Sequence, residues 1–218
     1  MWVAAIGMWG VGAVHAQLSG TVGIVSLYKS RGVDQDGRNQ DFRPALQGGL
    51  RYTWGSGFYV GNWNSTGRFG KARAEIDLYA GFGGEWGGGW SYDVGYVHYL
   101  YPSESAWNSG DIYGGVSYGN ARLYIYRGTR RNVNKSDMYY VLGYKHPLTE
   151  RLSLTAGLGF LDYGDAALRS KTDASLGLEF ALQPKVILSV KVEGANRRHA
   201  VDDGSRDVRG VVGLRMDF

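Results

Sequence analysis

The stretch VRGVVGLRMDF (Val208–Phe218) decides the fold, and it lies at the carboxyl end of the 218-residue sequence. Every second residue of this stretch is apolar or glycine, whereas the positions between them include Arg209, Arg215 and Asp217. A period of two is the signature of a β-strand whose two faces meet unlike environments. The sequence therefore ends in an amphipathic strand, which fits either a soluble β-sandwich or a barrel in a membrane.

The same alternation recurs along the chain and predicts twelve strands. Most of them approach the roughly 9–11 residues that a tilted strand needs to cross a bilayer, and an even count is usual in bacterial single-chain barrels. A terminal aromatic such as Phe218 is typical of the closing strand of those barrels, where it is part of the insertion signal. The predicted strands are Leu18–Lys29, Pro44–Trp54, Phe58–Asn64, Ala72–Gly84, Gly89–Tyr101, Asp111–Gly119, Ala121–Tyr126, Met138–His146, Leu152–Leu161, Thr172–Leu182, Val186–Ala195 and Asp207–Phe218.

Long and short connectors alternate between these predicted strands. The long polar segment SRGVDQDGRNQDFR (Ser30–Arg43) is followed by the short turn Gly55–Gly57, then by the longer STGRFGK (Ser65–Lys71), and the pattern continues to the last strand. A barrel with both termini in the periplasm has short periplasmic turns and longer external loops. A soluble sandwich has no reason to separate its loops in this way, so the connectors favour a barrel.

Charged residues of the predicted strands fall on one face. Glu75 and Asp77, for example, alternate with Ile76 and Leu78. Such a strand has either an apolar face toward lipid and a polar face toward a wet lumen, or an apolar face in a dry core. The alternation of charged and apolar residues does not by itself distinguish a wet lumen from a dry core. Twelve strands closed in one sheet, however, enclose more room than side chains usually fill, which favours a wet lumen. The predicted fold is an all-β, 12-stranded antiparallel up-and-down transmembrane β-barrel.

Aromatic and glycine residues add detail to this prediction. Trp54, Trp90 and Phe218 near one set of strand ends, with Tyr28 and Tyr140 near the other, would form the aromatic girdles of a membrane barrel. Glycines on the polar face, including Gly95 and Gly115, are expected to keep that side open. The composition, with 16 Tyr, 7 Trp and 35 Gly against 4 Pro, is that of a β-rich chain with many tight turns.

The first 16 residues (MWVAAIGMWGVGAVHA) are uncharged and end in Val14-His15-Ala16. This pattern predicts a signal peptide over residues 1–16, with cleavage before Gln17 and a barrel domain over 17–218. The usual Lys or Arg ahead of the apolar run is missing, which predicts a start further upstream. The run is shorter than the roughly 20 apolar residues of a transmembrane helix, and the absence of Cys excludes disulfides and thiolate metal sites.

Four stretches in the middle of the chain carry a family resemblance. They are GGLRYTWGSGFYVGNWNS (Gly48–Ser65), AEIDLYAGFGGE (Ala74–Glu85), WSYDVGYVHYLYPSES (Trp90–Ser105) and DIYGGVSYG (Asp111–Gly119). Together they resemble the TorF family of porin-like proteobacterial outer-membrane proteins, strongly from about Leu46 to Tyr126 and elsewhere mainly in pattern. The resemblance implies a pore-like barrel in the bacterial outer membrane and carries over no catalytic residue.

Strand charges on the polar face are balanced between cations and anions. A balanced lumen gives no overall ion preference, and it fits either an open narrow pore or a salt-bridge network that plugs the barrel. If the pore is open, passive diffusion of small polar solutes is the expected function. The residues expected to line it are Arg51, Arg73, Glu75, Asp77, Arg122, Lys191 and Arg209.

Excess positive charge lies in the predicted external loops. Arg127, Arg130, Arg131 and Lys135 are expected to form a basic rim, which would concentrate anionic solutes and give a mild anion preference. The same residues could instead contact outer-leaflet phosphates or remain solvated. Nucleic-acid binding is not expected, because the chain has no recognised reading module.

Two alternatives to a pore remain open from the sequence: a structural or adhesion barrel with a plugged lumen, and a lipid-modifying enzyme. Chemistry for the enzyme is sparse, because only His98, His146 and His199 follow the predicted signal peptide and neither a G-x-S-x-G nor an H-E-x-x-H motif is present. No catalytic residue, metal or cofactor is therefore predicted. The expected partners are outer-membrane lipids with lipopolysaccharide, the barrel-assembly machinery and small polar solutes.

Overall fold

Twelve strands close into a single antiparallel barrel, which confirms the predicted fold class. The computed structural model describes residues 17–35, 42–130, 137–165, 169–196 and 208–218. The barrel strands are β1 (Gln17–Val25), β4 (Ala45–Thr53), β5 (Phe58–Phe69), β6 (Ala72–Gly87), β7 (Trp90–Leu100), β8 (Ser109–Tyr118), β9 (Ala121–Gly128), β10 (Met138–Pro147), β11 (Leu152–Asp162), β12 (Lys171–Gln183), β13 (Val186–Ala195) and β14 (Arg209–Asp217); β2 (Lys29–Ser30) and β3 (Val33–Asp34) form a small hairpin between β1 and β4. A 3₁₀ turn spans Ser105–Trp107.

The first and last strands close the barrel. β1 pairs with β14, with Thr21 opposite Asp217, while its other edge pairs with β4. At the end of this seam, Gly20 N donates to Phe218 O and Phe218 N donates to Gly20 O, each at 2.9 Å. Closure pairs both edges of every barrel strand, which is required of a sheet in lipid because no water is available to satisfy the backbone. The role of Phe218 as an insertion signal stays a prediction.

The two faces of the barrel differ as the alternation predicts. In β6, Leu78 and Phe82 point outward and are exposed, while Asp77 and Tyr79 point inward and are buried. The last strand repeats this pattern, since Val212 is exposed whereas Arg215 faces inward. An apolar band therefore surrounds a polar interior. Among the described residues there is no helix of the length and apolarity that a membrane crossing requires.

Connectors differ in length at the two ends of the barrel, with one departure from the predicted alternation. Short turns follow β4, β6, β8, β10 and β12, and we call that side the short-turn end and the opposite side the long-loop end. The expected loop Ser65–Lys71 is mostly strand, because β5 continues to Phe69 and β6 begins at Ala72. These two strands therefore extend farther at the long-loop end, where Gly70 takes the left-handed φ of 61° that their tight turn needs.

The segment after β1 folds into the barrel, contrary to the prediction of an entirely external loop. β1 ends at Val25 instead of Lys29, and Leu27–Asp34, which we call the inner hairpin, turns into the lumen. Leu27 is 1% exposed, and Tyr28 is buried in the lumen instead of joining an aromatic girdle. The turn between β2 and β3 is made by Arg31 and Gly32, whose φ angles of 48° and 74° reverse the chain in two residues.

Candidate functional site

Carboxylates line one side of the lumen. Inward-facing positions of β6, β7 and β8 carry Glu75, Asp77, Asp93 and Asp111, and we call this group the acidic wall. Arg73 lies on the same strand as Glu75 but is exposed at the long-loop end. Because side chains of one strand alternate between faces, three adjacent strands bring these carboxylates together on the inner surface.

Tyrosine hydroxyls bind most of the acidic wall. Glu75 accepts hydrogen bonds of 2.7 Å from both Tyr28 and Tyr101. Asp111 accepts one of 2.9 Å from Tyr99. Hydroxyl donors satisfy the hydrogen-bonding capacity of buried carboxylate oxygens, so these tyrosines stabilise Glu75 and Asp111 inside the barrel.

Asp93 forms the centre of a second tyrosine cluster. Its two oxygens accept hydrogen bonds from Tyr59 and Tyr124, and the hydroxyls of Tyr59 and Tyr113 lie 2.6 Å apart. Arg51 stacks on this cluster, with its guanidinium carbon 3.6 Å from the centroid of the Tyr59 ring. Arginine on a tyrosine face is a cation–π contact, so this part of the wall has a positive neighbour.

Asp77 is the exception within the acidic wall. It is 1% exposed, and neither carboxylate oxygen has a hydrogen-bond partner among the residues that the structure describes. Trp63 and Tyr99 lie directly opposite it on the two neighbouring strands. A buried carboxylate without partners is energetically costly and uncommon, which marks this position as a candidate functional residue.

The opposite side of the lumen mixes both signs of charge. Glu179 lies 2.8 Å from Lys145 Nζ and 3.6 Å from the Arg215 guanidinium. Lys191 and Glu193 pair at 3.0 Å on β13. Lys145 and Arg215 each lie two strands away from Glu179, whereas Lys191 and Glu193 share one strand, so these ion pairs follow the wall of the barrel and do not bridge across it.

The inner hairpin contacts the wall of the barrel at several distant strands. Tyr28 reaches Glu75 on β6, and Arg31 donates to Asp111 on β8 at 2.7 Å. At its tip, Gly32 lies so close to β12 and β13 that an added Cβ would come within 2.6 Å of Asp173 Cβ and 2.9 Å of Ala195 Cβ. The hairpin therefore crosses the lumen and narrows it toward the long-loop end.

Ionisation of the hairpin follows from its surroundings. Burial, together with the neighbouring carboxylates Glu75 and Asp77, raises the pKa of Tyr28 well above its ordinary value. Burial is the largest single effect and would lower the pKa of Arg31, but Asp111, Tyr99 and Tyr139 together outweigh it and the pKa is raised. At neutral pH Tyr28 is therefore a neutral donor and Arg31 a cation.

The residues predicted to line the pore occupy different positions. Arg51, Glu75, Asp77, Arg122, Lys191 and Arg209 are all at inward-facing positions of their strands. Arg73 instead lies 3.4 Å from the carbonyl oxygens of Gly70 and Ala72, to which it donates at the β5–β6 turn. Whether any of them contacts a permeating solute stays a prediction.

Two of the four predicted rim residues lie within the described chain. Arg127 is exposed near the end of β9, on the outward face. Arg130 follows that strand and donates to the carbonyl oxygens of Ser105 and Asn108. Arg131 and Lys135 lie outside the described residues, as does the predicted signal peptide.

Sequence reasoning did not identify Arg31 or Lys171 as lumen residues, because both were assigned to loops. Arg31 lies half-buried in the lumen as part of the inner hairpin, with its side chain 17% exposed, and Lys171 is buried at the start of β12. The only local signal for Arg31 was the Arg-Gly pair between Ser30 and Val33, which fits a two-residue turn. No local signal indicated that this turn faces inward.

Catalytic arrangements are not evident at the described histidines. His98 forms a hydrogen bond of 3.2 Å with Tyr96, and His146 forms one of 3.1 Å with Asn120. Both histidines lie on the outer face or at a strand end, and within the described ranges neither is hydrogen-bonded to a serine. His199 lies outside those ranges. No group of three or more His, Asp or Glu residues in the described part of the chain could hold a metal ion.

Residues 11–211 match a family of bacterial proteins of unknown function, Gcw_chp. The chain belongs to the Gcw_chp family. The match does not support the TorF name that the sequence stretches suggest, although both point to a bacterial protein. Among curated proteins, none matches this Gcw_chp sequence.

Solved structures similar to this Gcw_chp protein are barrels of the outer membrane. The KdgM porin superposes with a TM-score of 0.62 at 11% identity, covering 92% of this chain and 99% of that one. The NanC porin superposes with a TM-score of 0.55 at 11% identity, covering 92% of this chain and 98% of that one. Outer membrane phospholipase A from Escherichia coli superposes with a TM-score of 0.50 at 14% identity, covering 93% of this chain and 92% of that one. At these identities the likeness concerns the fold, which porins and an enzyme share.

Proposed function

We propose that this Gcw_chp protein is an outer-membrane channel through which small polar solutes diffuse passively. The observation that carries the proposal is the closed barrel with an apolar outer band and a lumen lined by ionisable and hydroxyl groups. A polar interior and an apolar exterior are the two requirements of a water-filled pore in lipid. Similarity to the KdgM and NanC porins supports the same function.

The channel would be narrow, because the inner hairpin occupies part of the lumen. Its contacts with Glu75 and Asp111 place polar groups of the hairpin and of the acidic wall next to the remaining path. The same hairpin is the observation that favours the second candidate, a barrel that is plugged and works through its loops. Bilayer lipids with lipopolysaccharide would surround the outer band, and the barrel-assembly machinery would insert the chain.

A mild anion preference is the finer part of the proposal. Arg127 and Arg130 are at the long-loop end, which would face outward in a barrel with periplasmic termini. Cations at a pore mouth raise the local concentration of anions. The phospholipase activity of the enzymatic neighbour is not part of this proposal, because neither described histidine is hydrogen-bonded to a serine within the described residues.

Conductance of purified protein in planar lipid bilayers tests the proposal. Stepwise increases in current are expected from folded barrels, whereas protein denatured by boiling should give none. A KCl gradient should then give a reversal potential with a small anion preference. Absence of steps from protein that still shows heat-modifiable gel mobility would contradict the channel and support the plugged barrel.

A further inference from the structure

The tip of the inner hairpin contains a residue that suits the turn poorly. Arg31 and Gly32 both have positive φ, at 48° and 74°, as a two-residue type I′ turn requires at both central positions. Such positions favour Gly, Asn and Asp, because other L residues are strained in the left-handed region. The turn itself gives no reason for an arginine at position 31, so the reason lies in its side chain.

The Arg31 guanidinium occupies a cage on the barrel wall. A nitrogen of the group lies 2.7 Å from Asp111 Oδ2. Its central carbon lies 4.5 Å from the ring centroid of Tyr139 and 5.9 Å from that of Tyr126. A carboxylate combined with aromatic faces is the arrangement by which proteins bind organic cations.

Barrel residues hold this cage in place independently of the hairpin. Tyr99 donates to Asp111 at 2.9 Å, and the Tyr139 hydroxyl lies 3.1 and 3.2 Å from the two oxygens of Asp173. All of these side chains lie on strands, whose pairing does not involve β2 or β3. The cage therefore belongs to the wall, and the hairpin supplies the Arg31 guanidinium that lies in it.

We propose that Asp111, Tyr126 and Tyr139 form a binding site for the guanidinium or ammonium group of a cationic solute, and that Arg31 occupies it as an internal ligand. A free solute makes the same contacts without straining a hairpin turn, so solute and hairpin compete for one site. Binding of a solute would release the tip of the inner hairpin from the wall. The site goes beyond the channel function, since binding does not depend on conduction.

Isothermal titration calorimetry of the detergent-solubilised barrel tests the site with methylguanidinium. Arg31→Gly removes the internal guanidinium from the cage, and it also removes the strain of an arginine at a φ of 48°. This variant should bind methylguanidinium with one-to-one stoichiometry, and we expect binding at least about tenfold tighter than in the wild type, where Arg31 competes. Methylurea, which has a similar shape and no charge, should not bind.

Two further variants locate the site. Adding Asp111→Asn to Arg31→Gly should abolish the binding, whereas adding Asp93→Asn, which alters another tyrosine-bonded carboxylate of the wall, should leave it unchanged. Heat-modifiable mobility establishes that each variant is folded, and Arg31→Asn, which also tolerates a positive φ, replaces Arg31→Gly if the latter does not fold. Equal affinity in the wild type and the emptied variant, equal binding of methylurea, or binding that survives Asp111→Asn would overturn the proposal. None of these results depends on whether the barrel conducts.

Discussion

On the inner face of the barrel, tyrosine rings lie over glycines of neighbouring strands. An added Cβ at Gly95 would come 2.5 Å from Tyr113 Oη and 2.6 Å from the carbonyl oxygen of Ala80, and Gly115 has the same relation to the Tyr124 ring. These glycines were expected to keep the lumen open. They instead allow the rings to lie flat against the wall, where the hydroxyls reach the acidic wall.

Replacing one of these glycines should therefore disturb the tyrosine above it. We expect Gly95→Ala to lower the free energy of unfolding by about 1–3 kcal/mol, the usual cost of overpacking. Gly114→Ala is the matched control, because its Cβ would point outward with nothing closer than 3.8 Å, and its effect should stay within about 0.5 kcal/mol. Urea titration of folded barrels in detergent measures both. Equal stability of the two variants would show that the ring does not need the glycine.

At the scale of single residues, the sequence predicts the barrel face on which a side chain lies but not the side chain to which it is hydrogen-bonded. Period-two alternation placed Arg51 and Glu75 on the inner face without knowledge of the fold. It did not predict that Tyr59 binds Asp93, since these residues are 34 positions apart and meet only across intervening strands. Contacts of this kind depend on strand stagger and on rotamers, which alternation does not determine.

Among the elements of the molecule, the inner hairpin is the one that the sequence analysis did not predict. Alternation continues through Leu27 and Lys29, so the first strand appeared to be longer than it is. The direction of a loop depends on what it contacts, and the contacts of this one lie on β6, β8, β10, β12 and β13. By contrast, most barrel strands were predicted within a few residues, because hydrophobic alternation is local information.

Removing the hairpin from the lumen should widen the path. We expect replacement of Tyr28–Asp34 by Gly and Ser residues of equal number to raise single-channel conductance, because β1 still pairs with β4 and β14 while the hairpin contacts are lost. The same replacement at Pro102–Ala106, a loop at the same end of the barrel, is the control and should change conductance little. Unchanged conductance in the hairpin variant, with heat-modifiable mobility retained, would mean that the hairpin does not limit the current.

For the molecule as a whole, the distribution of charge matters more than its sum. The sequence predicted equal numbers of cations and anions on the inner face. The neighbouring strands β6, β7 and β8 bring the carboxylates Glu75, Asp93 and Asp111 together on one side, whereas the ion pairs of Glu179 and Glu193 lie on the other. Alternation predicts only the face on which each charge lies, and the segregation follows from the up-and-down strand order, which makes β6, β7 and β8 neighbours.

Asp137 adds a titratable charge where the lumen meets the long-loop end. Burial raises its pKa from 3.8 to about 6, with Arg31 and Lys171 opposing the shift and Asp111 and Asp162 adding to it. The residue precedes β10 and is half-buried. The folded state therefore holds this proton more tightly than the unfolded state does. As a result, the ionised Asp137 lowers the free energy of unfolding above about pH 6, and this penalty disappears as the pH falls from about 6 toward 3.8.

Ion selectivity should follow the same titration. Asp137 is ionised at pH 7.5 and neutral at pH 5, given its pKa of about 6, so acidification removes one negative charge from the mouth. We expect the reversal potential in a KCl gradient to move toward anion preference between these two pH values. Asp137→Asn should show, at both pH values, the reversal potential that the wild type shows at pH 5. Asp162→Asn removes an exposed carboxylate at the same end but leaves Asp137 in place, so it should retain the pH-dependent step. A step that survives Asp137→Asn unchanged would assign the titration to another group.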